Sequence, residues 1–423
     1  MAQENRGISN SLTVRRYVVW RRDGALETKV SSLASTALPL ISATPQRVAT
    51  VVSTRAVTIR ALDWRECTAP AIRLAWDALV QRAAEPNPFY ESWYLLPALR
   101  ALDPAGTVRM LLCEAGGELV AMLPVARQPR YYRRPVPHIA SWVHANCFLA
   151  APLVAAGRER EFWCALLKWA DSEAGSSLFL HLSGLPLGGS LHRALEAVLA
   201  EQGRSAGLVH RQERALLASP QTPDDYLAAS LTGKKRKELR RQRTRLAELG
   251  EIGFAREDGG DGLDAWIERF LALEQAGWKG QRNSALASQG DTAALFRESL
   301  PGGAEQGRLE RLTLSLDGRA IAMLVNFITP PGAFSYKTAY DEDYARFSPG
   351  VLLQCENLQL LSRPDIAWTD SCAAADHPMI DHIWRERRAV GRISIAIGGR
   401  LRRLVFTRLL NAELGRNPTG VSA

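Results

Sequence analysis

The sequence Tyr336-Lys-Thr-Ala-Tyr-Asp-Glu-Asp-Tyr344, followed closely by Ser348-Pro-Gly-Val-Leu-Leu353, predicts a buried strand that leads through a loop into a helix. Serine is a good N-cap, and proline is tolerated at the first helical position. Glycine lets a ligand approach the backbone, and the amides of a helix N-terminus favour an anion such as phosphate. The same pattern also begins many helices that bind nothing. The residues predicted to hold a phosphate-bearing ligand are Ser348, Gly350, Val351 and Leu352.

The bulk composition is that of an ordinary globular protein. The chain has 423 residues, of which 46% are hydrophobic and 23% charged, and this length suffices for two or three domains. No apolar run approaches the roughly 20 residues that a membrane helix needs. Six cysteines and seven histidines are scattered without metal-ligand spacing. We therefore expect reduced thiols, no metal site and a cytoplasmic location.

The two ends of the chain differ from the rest. The apolar stretch 30–52 is broken by several serines and threonines, and Asp23 and Glu27 lie in its charged flank. This pattern is not that of a cleaved signal, so residues 1–55 are predicted to be a disordered leader. Residues 416–423 are predicted to be a flexible tail.

The net charge of +9 is concentrated in two segments. Residues 232–250 carry eight Lys/Arg and two Glu, and residues 381–423 carry nine Arg and three acidic residues. The remainder of the chain is slightly acidic. Such local basicity indicates two surfaces that face anions.

An internal repeat organises the chain. The motif Gly117-Glu-Leu-Val-Ala-Met-Leu123 recurs as Gly318-Arg-Ala-Ile-Ala-Met-Leu324, each time after an apolar strand and a glycine turn, which predicts two hairpins. Helical patterns precede each hairpin, and a helix and a strand follow it. We therefore predict two copies of one mixed α/β unit, over residues 56–215 and 216–415.

A basic helix is predicted between the two copies. Residues 232–250 begin with Thr232 as a cap and end at Gly250, with a thin stripe of leucines. The helix either packs along one edge with a solvated basic face, or binds the phosphates of a cofactor, a nucleic acid or an anionic membrane.

Several motifs together resemble the GNAT superfamily of N-acyltransferases. They are residues 231–241, 273–280, 337–341, 348–350 and 384–387, and they occur in the order expected of the bacterial tandem-domain type found in polysaccharide-biosynthesis accessory proteins. This type is similar to the Fem-type transferases that add amino acids to peptidoglycan precursors. The resemblance implies two tandem GNAT-like domains, with only the second well equipped to bind a donor.

The resemblance also implies a function. It favours acyl-CoA as a co-substrate, with no tightly bound cofactor, and transfer of the acyl group to an amine of a cell-envelope lipid of the sphingoid-base type or of a glycan precursor. The Arg/Gln-x-x-Gly-x-Gly/Ala loop of ordinary acetyltransferases is replaced by residues 346–350. The donor therefore stays open among acyl-CoA, a carrier protein and an aminoacyl-tRNA. A non-catalytic accessory protein is the further alternative.

Four residues are candidates for proton transfer. Glu274 continues the apolar stripe of a helix, so a buried carboxylate with a raised pKa would suit a base, although it could instead pair with Lys279. Asp370 ends a strand and His377 follows Asp376, and capping a turn or helix is the alternative for both. Tyr340 could protonate the leaving group or belong to the core. Backbone amides around residues 325–328 are the expected oxyanion donors.

Four further residues are candidates for binding the substrate. Trp278 and Lys279 are predicted to edge the pocket, or else simply to end a helix. Strict strand alternation would place Tyr336 and Tyr340 on one face, and Lys337 and Asp341 on the other, where the latter two could form an ion pair. The segment 399–410 mixes arginines with apolar residues, so we expect it and residues 232–250 to contact an anionic membrane peripherally, at the inner face.

Overall fold

The fold is built on one mixed β-sheet with helices packed against it. The computed structural model describes residues 16–20, 26–30, 57–375 and 377–416. Within these residues, fifteen strands belong to a single sheet. The predicted mixed α/β class is confirmed.

The strands are as follows. The first two are β1 (Arg16–Trp20) and β2 (Leu26–Val30). The first unit contains β3 (Thr58–Asp63), β4 (Arg109–Ala115), β5 (Glu118–Gln128), β6 (His138–Ser141), β7 (Leu153–Val154), β8 (Phe179–Pro186) and β9 (Ala206–Leu217). The second unit contains β10 (Ile252–Asp258), β11 (Leu309–Leu316), β12 (Arg319–Thr329), β13 (Gly332–Tyr340), β14 (Trp368–Asp370) and β15 (Glu386–Ala396).

The helices divide between the same two units. The first unit has α1 (Pro70–Val80), α2 (Ser92–Leu102), α3 (Glu159–Ser172) and α4 (Ser190–Glu201). Between the units lie α5 (Pro223–Ser230) and α6 (Gly233–Ala247). The second unit has α7 (Leu263–Ala276), α8 (Trp278–Gln281), α9 (Gly290–Glu305), α10 (Pro349–Asn357) and α11 (Arg400–Leu414), and a 3₁₀ helix at Glu342–Phe347 precedes α10.

The two units repeat one order of elements: strand, two helices, three strands, helix, strand. The first runs β3, α1, α2, β4, β5, β6, α3, β8, and the second runs β10, α7, α9, β11, β12, β13, α10, β14. Each central hairpin contains a bulge at the same point. The register shifts between Cys113 and Glu114 in one, and between Leu314 and Ser315 in the other. The predicted repeat is therefore confirmed in its detailed geometry.

The last strand of each unit pairs with the other unit. β9 lies between β14 and β15, and β15 lies between β9 and β8. The two exchanged strands pair antiparallel from Leu216↔Glu386 to Ala206↔Ile395. The predicted boundary between residues 215 and 216 therefore falls inside β9, and a division there does not separate two closed sheets.

Part of the expected leader belongs to the sheet. β1 and β2 form a hairpin, and β1 pairs antiparallel with β10 at the sheet edge, with Val18 opposite Phe254. These ten residues lie in the segment 1–55 that the sequence predicts to be a leader, and their backbones pair at the edge of the sheet next to β10. The rest of that segment, and residues 417–423 of the expected tail, lie outside the described residues.

One hydrophobic core continues from the first unit into the second. The ring of Phe89 lies 5.7 Å from that of Phe334, and the ring of Trp93 lies 4.9 Å from that of Phe327. Helices α2 and α9 approach closely at Gly303, where an added Cβ would lie 3.1 Å from the indole of Trp93. The units are therefore held together by aromatic packing as well as by strand pairing.

Three further properties concern the described residues as a whole. Among their helices, none is long and apolar enough to cross a membrane. The six cysteines carry free thiols. Over the same ranges, no group of three or more His, Cys, Asp or Glu side chains is placed to hold a metal ion.

Candidate functional site

The candidate site lies where β13 and β14 separate. These strands run parallel and pair only through residues 332–334 of β13 and 368–370 of β14. Beyond that point β13 continues to Tyr340, while the chain after β14 turns away into a loop. A cavity of about 210 Å³ lies between them. The free edge of β13 thus forms one wall of the cavity.

Both units contribute to the lining. The second unit supplies residues 335–340 of β13, the loop after β14, and the end of α7 with α8, while the first unit supplies Phe148. Of the predicted site residues, the cavity brings together Glu274, Trp278, Lys279, Lys337, Tyr340 and His377. Asp341, Asp370 and the backbone of Ser348 and Gly350 lie outside its lining.

A β-bulge in β13 changes which side chains face the cavity. Val325 pairs with Lys337 and Asn326 pairs with Ser335, so Tyr336 has no partner across the ladder. A bulge places two consecutive residues opposite one and interrupts alternation. Lys337 therefore lines the cavity beside Tyr336, and the prediction that strict alternation separates the two is wrong.

The expected Lys337–Asp341 ion pair is also wrong. Asp341 Oδ2 lies 2.6 Å from Arg319 Nη2, and Asp341 Oδ1 accepts a hydrogen bond from the amide of Asp343. Its carboxylate thus stabilises the turn after β13 and lines a neighbouring cavity with Arg269. The backbone amides at residues 325–328, which were the expected oxyanion donors, are not free for that role. Their strand, β12, is paired with β11 on one side and with β13 on the other.

Among the described residues that line the cavity, Lys337 is a cation without a carboxylate partner. Its ammonium lies 5.4 Å from the ring centroid of Phe148 and 5.7 Å from that of Tyr336. Burial lowers the pKa of Lys337 to about 8, and the charge of Lys279 adds to the shift while Glu274 opposes it. Aromatic faces stabilise a cation only weakly, so this site favours an incoming anion or a developing negative charge.

Glu274 is buried on the inner face of α7, as its place in the apolar stripe predicted. Its Oε1 lies 2.7 Å from Lys279 Nζ, and its Oε2 accepts a hydrogen bond from the amide of Leu286 at 2.8 Å. Lys279 also donates to the carbonyl of Thr338 at 3.1 Å. The alternative pairing of Glu274 with Lys279 is thus the observed one, and it fixes α8 against α7 and β13.

His377 offers an unpartnered ring nitrogen. Its Nδ1 is buried and has no hydrogen-bond partner in the described part of the chain. Burial, followed by the charge of Lys279, lowers the pKa of His377, whereas Asp381 opposes the shift. A neutral imidazole beside a cavity can accept a proton at neutral pH. Asp376, its predicted neighbour, lies outside the described residues.

Asp370 is buried behind the cavity among arginines. Its carboxylate lies 2.7 Å from Arg214 Nε and 3.1 Å from Arg388 Nη1, and it accepts a hydrogen bond from the amide of Cys372 at 2.9 Å. Burial alone would raise the pKa of Asp370, but the two guanidinium groups hold it below its usual range. Arg388 also pairs with Glu85 of the first unit. These contacts favour a structural role, in which the exchanged strands hold the end of β14.

Tyr340 and Trp278 lie at the mouth of the cavity. Burial and then Glu342 raise the pKa of Tyr340, so its phenol keeps its proton at neutral pH. Tyr340 also lines the neighbouring cavity that contains Asp341. Trp278 is 41% exposed, and its amide donates to Glu342 Oε1 at 2.6 Å.

The start of α10 differs from its prediction. Ser348 has a left-handed backbone (φ 54°, ψ 51°), and its side chain makes no capping hydrogen bond. The amides of Val351 and Leu352 both donate to the Ser348 carbonyl, at 2.9 and 3.0 Å, so they are not free. At Gly350 the close approach is that of the protein's own side chains, since an added Cβ would lie 2.7 Å from Met379 Sδ and 3.4 Å from the Tyr340 ring.

Two features of the cavity have no signal in local sequence. Phe148 reaches the cavity from a loop of the first unit. Ser335 has a buried hydroxyl with no partner among the described residues. A serine in an apolar strand and a phenylalanine in a loop are both common, and only the tertiary structure brings them to the site.

Comparison with known proteins now identifies the second unit. Residues 233–377 match the acetyltransferase (GNAT) domain family. No curated protein matches the sequence significantly. Among solved structures, FemX is similar with a TM-score of 0.51 at 10% identity, over 80% of this chain and 97% of that one. A conserved protein of unknown function from Bacteroides thetaiotaomicron is similar with a TM-score of 0.51 at 13% identity, over 80% of this chain and 100% of that one.

The family match covers β13, α10 and the cavity between β13 and β14, while the likeness to FemX extends the shared fold across both units. The match to the acetyltransferase (GNAT) domain at residues 233–377 supports an N-acyltransferase activity for the second unit, and the fold around it is similar to that of FemX.

Proposed function

We propose that the protein transfers an acyl group from acyl-CoA to an amine of a cell-envelope lipid of the sphingoid-base type or of a glycan precursor. The observation that carries the proposal is the cavity at the GNAT domain, where the ammonium of Lys337, which has no carboxylate partner among the described residues, and the neutral imidazole of His377 line one space. One group can stabilise negative charge and the other can accept a proton. N-acyl transfer requires both.

The proposed reaction uses three side chains. The neutral amine attacks the thioester carbonyl, a C–N bond forms, and the C–S bond then breaks. Lys337 stabilises the oxyanion, because its ammonium has no carboxylate partner in the described residues. His377 accepts the proton that the nitrogen loses, and Tyr340 gives its proton to the departing thiolate. Glu274 and Lys279 hold the cavity wall in place.

The donor is proposed to bind at the start of α10. Gly350 and Tyr340 adjoin the mouth of the cavity, and the amide of Gly350 lies in the first turn of a helix, which favours phosphate. The basic helix α6 lies close by, since Gln242 Nε2 donates to the Arg346 carbonyl at 3.3 Å. The exposed cations of α6 that could contact the phosphates of CoA are Lys234, Lys235, Lys237, Arg240, Arg241 and Arg245, of which Arg241 also pairs with Glu238.

Peripheral contact with an anionic inner-membrane surface is proposed for α11. Phe406 and Leu410 face the protein, while Leu401 is 82% exposed and Leu404 is 50% exposed. Arg408 is exposed on the same outer side. Exposed leucines next to arginines suit the interface of an anionic bilayer. Such a contact would place a cytoplasmic enzyme close to lipid-borne acceptors.

A second candidate donor is an aminoacyl-tRNA, and the exposed basic face of α6 favours it. A tRNA that contacts several of these side chains would bind with a steep dependence on salt. CoA carries fewer phosphates, so its binding would depend on salt less steeply. The two donors are therefore distinguishable by titration at several salt concentrations.

The test is a titration of the purified protein with acetyl-CoA, a long-chain acyl-CoA and free CoA, followed by tryptophan fluorescence. Trp278 edges the cavity, so Trp278→Phe should remove the signal and serves as the assignment control. Saturable binding of an acyl-CoA, and mass-spectrometric detection of an N-acylated sphingoid base or amino sugar, would support the proposal. Binding of a charged tRNA with no binding of any CoA compound would contradict it.

A further inference from the structure

A second cavity, of about 280 Å³, lies in the first unit where β6 and β8 separate. These strands run parallel and pair through Ile139↔Leu180 and Ala140↔His181, as β13 and β14 do in the second unit. The cavity lies outside the segment that matches the GNAT family. We propose that it binds a sugar phosphate.

Two arginines supply the charge. Arg130 and Arg392 line the cavity, and neither forms an ion pair or a hydrogen bond with any described residue. The described residues that line this cavity include no Asp or Glu. Arg392 belongs to β15, so the exchanged strand of the second unit completes a cavity of the first. Guanidinium groups without a partner suit the oxygens of a phosphate, which they bind through paired hydrogen bonds.

His138 adds a requirement for hydroxyl groups. Its Nδ1 lies 3.2 Å from the carbonyl oxygen of Val136, and since a carbonyl only accepts, Nδ1 must carry the hydrogen. Burial lowers the pKa of His138, so the ring is neutral and Nε2 is an acceptor. Nε2 has no partner among the described residues. A bare phosphate oxygen would be repelled there, whereas a sugar hydroxyl can donate to it.

Aromatic walls complete the recognition. Tyr131 and Trp142 both line the cavity. Tyr131 is held in place, because its hydroxyl donates to Glu413 Oε1 at 2.8 Å. The Trp142 ring packs 5.2 Å from that of His144. Flat rings of this kind cover the C–H face of a sugar, which is apolar although its edge is polar. Cationic, accepting and apolar groups thus converge in one space.

The second cavity is physically linked to the first. One loop of the first unit lines both, with Trp142 at the second cavity and Phe148 at the first. The role of this cavity in catalysis rests on the proposed function. In that function the acceptor would be a glycan precursor that carries a phosphate, and the first unit would bind the phosphosugar of that acceptor. Binding itself does not depend on acyl transfer.

The test is calorimetric titration of the full chain with glucose 1-phosphate, inorganic phosphate and glucose. We expect glucose 1-phosphate to bind most tightly, because it alone engages the arginines, His138 and the aromatic walls together. Replacing both arginines (Arg130→Gln with Arg392→Gln) should weaken that binding at least about tenfold, the loss expected for charge-assisted hydrogen bonds. Arg133→Gln is the matched control, since Arg133 lies exposed in the same turn and does not line the cavity.

Separate outcomes decide the inference and the proposed function. Unchanged affinity in the double variant, with thermal unfolding like that of the parent, would overturn the site. Binding only to phosphatidylcholine vesicles that contain phosphatidic acid, and not to glucose 1-phosphate, would also overturn it. Lys337→Met should lower the rate of acyl transfer by about 10²-fold or more and keep glucose 1-phosphate binding. If Lys337→Met abolished that binding as well, the ligand would occupy the first cavity and the inference would fail.

Discussion

The phenol oxygens of Tyr94 and Tyr336 lie 3.1 Å apart, and the two residues belong to different units. Tyr94 donates its hydroxyl hydrogen to the carbonyl of Asn146 at 2.7 Å, so Tyr336 must be the donor between the two tyrosines. Both side chains are buried. A directed chain of hydrogen bonds therefore runs from the strand that borders the cavity of the candidate site into the first unit.

That direction predicts unequal effects of two conservative substitutions. Tyr336→Phe removes one donor and should destabilise the protein by about 1 kcal/mol. Tyr94→Phe leaves both the Tyr336 hydroxyl and the Asn146 carbonyl without partners, and should destabilise it by about 1–3 kcal/mol. Urea unfolding of the two variants and of the double variant measures the difference. Equal losses in the two single variants would contradict the assigned direction.

Lys337→Met should raise stability and lower activity. Removing a buried ammonium whose pKa is about 8 should stabilise the fold at neutral pH by on the order of 2 kcal/mol. In the parent, the unfolded chain binds more protons than the folded one between pH 8 and the ordinary lysine pKa of 10.5, so stability should rise with pH there. That rise should be absent from the variant in denaturant unfolding at several pH values.

The catalytic consequence of Lys337 is measured separately. The acyl-transfer rate of Lys337→Met should fall by about 10²-fold or more, as when an oxyanion donor is removed. The parent should also lose kcat/KM as pH rises through about 8, where Lys337 loses its proton. A variant with the parent's rate would exclude Lys337 from oxyanion stabilisation.

His377→Asn should slow acyl transfer by about 10²-fold near neutral pH, the usual contribution of a general base. The loss should shrink at high pH, where the acceptor amine is already neutral. His382→Asn is the matched control, because His382 is exposed and does not line the cavity. Similar losses in both variants, or a loss that does not change with pH, would refute the role of His377 as a base.

Asp370→Asn should mainly affect stability. The substitution leaves the buried guanidinium group of Arg214 without its anion and leaves Arg388 paired with Glu85, which costs about 3–5 kcal/mol. Because the pKa of Asp370 is lowered in the folded state, its ionised carboxylate stabilises the parent protein at neutral pH. This contribution is lost in acid, where the carboxylate becomes protonated. The variant should lack that acid-dependent component. A rate per folded molecule reduced 10²-fold would instead support catalysis by Asp370.

Gly350→Glu should abolish donor binding while the fold survives, because it places a carboxylate beside the phosphates at the start of α10. Gly350→Ala is the milder comparison. Its Cβ would meet the flexible thioether of Met379, so the parent's stability should be nearly retained. Fluorescence titration with acyl-CoA measures both variants. Unchanged affinity in Gly350→Glu would rule out a donor site there.

Local pattern was sufficient to predict the repeat. A glycine turn between alternating apolar residues specifies a hairpin wherever it occurs, so both copies were recognisable from their own residues. The burial of Glu274 followed in the same way from the apolar stripe of α7. These features depend on neighbours within one or two turns of chain, and sequence contains that information directly.

Long-range pairing was not predictable in this way. The pairing of β9 with β15 joins residues far apart in the chain, and the sequence pattern of neither strand indicates which strand it pairs with. The bulge at Tyr336 arises from the register with β12, so alternation placed Lys337 on the wrong face. Phe148 likewise reaches the cavity only through the packing of one unit on the other.

The exchange of β9 and β15 has a consequence for inheritance. An ordinary tandem duplication leaves two autonomous copies, and either copy can later be deleted or replaced. Here each copy pairs its final strand with its sister, so removing one would leave the other with an open sheet edge and with its own final strand unpaired. The unit without the GNAT match is therefore needed to complete the sheet of the unit that has it.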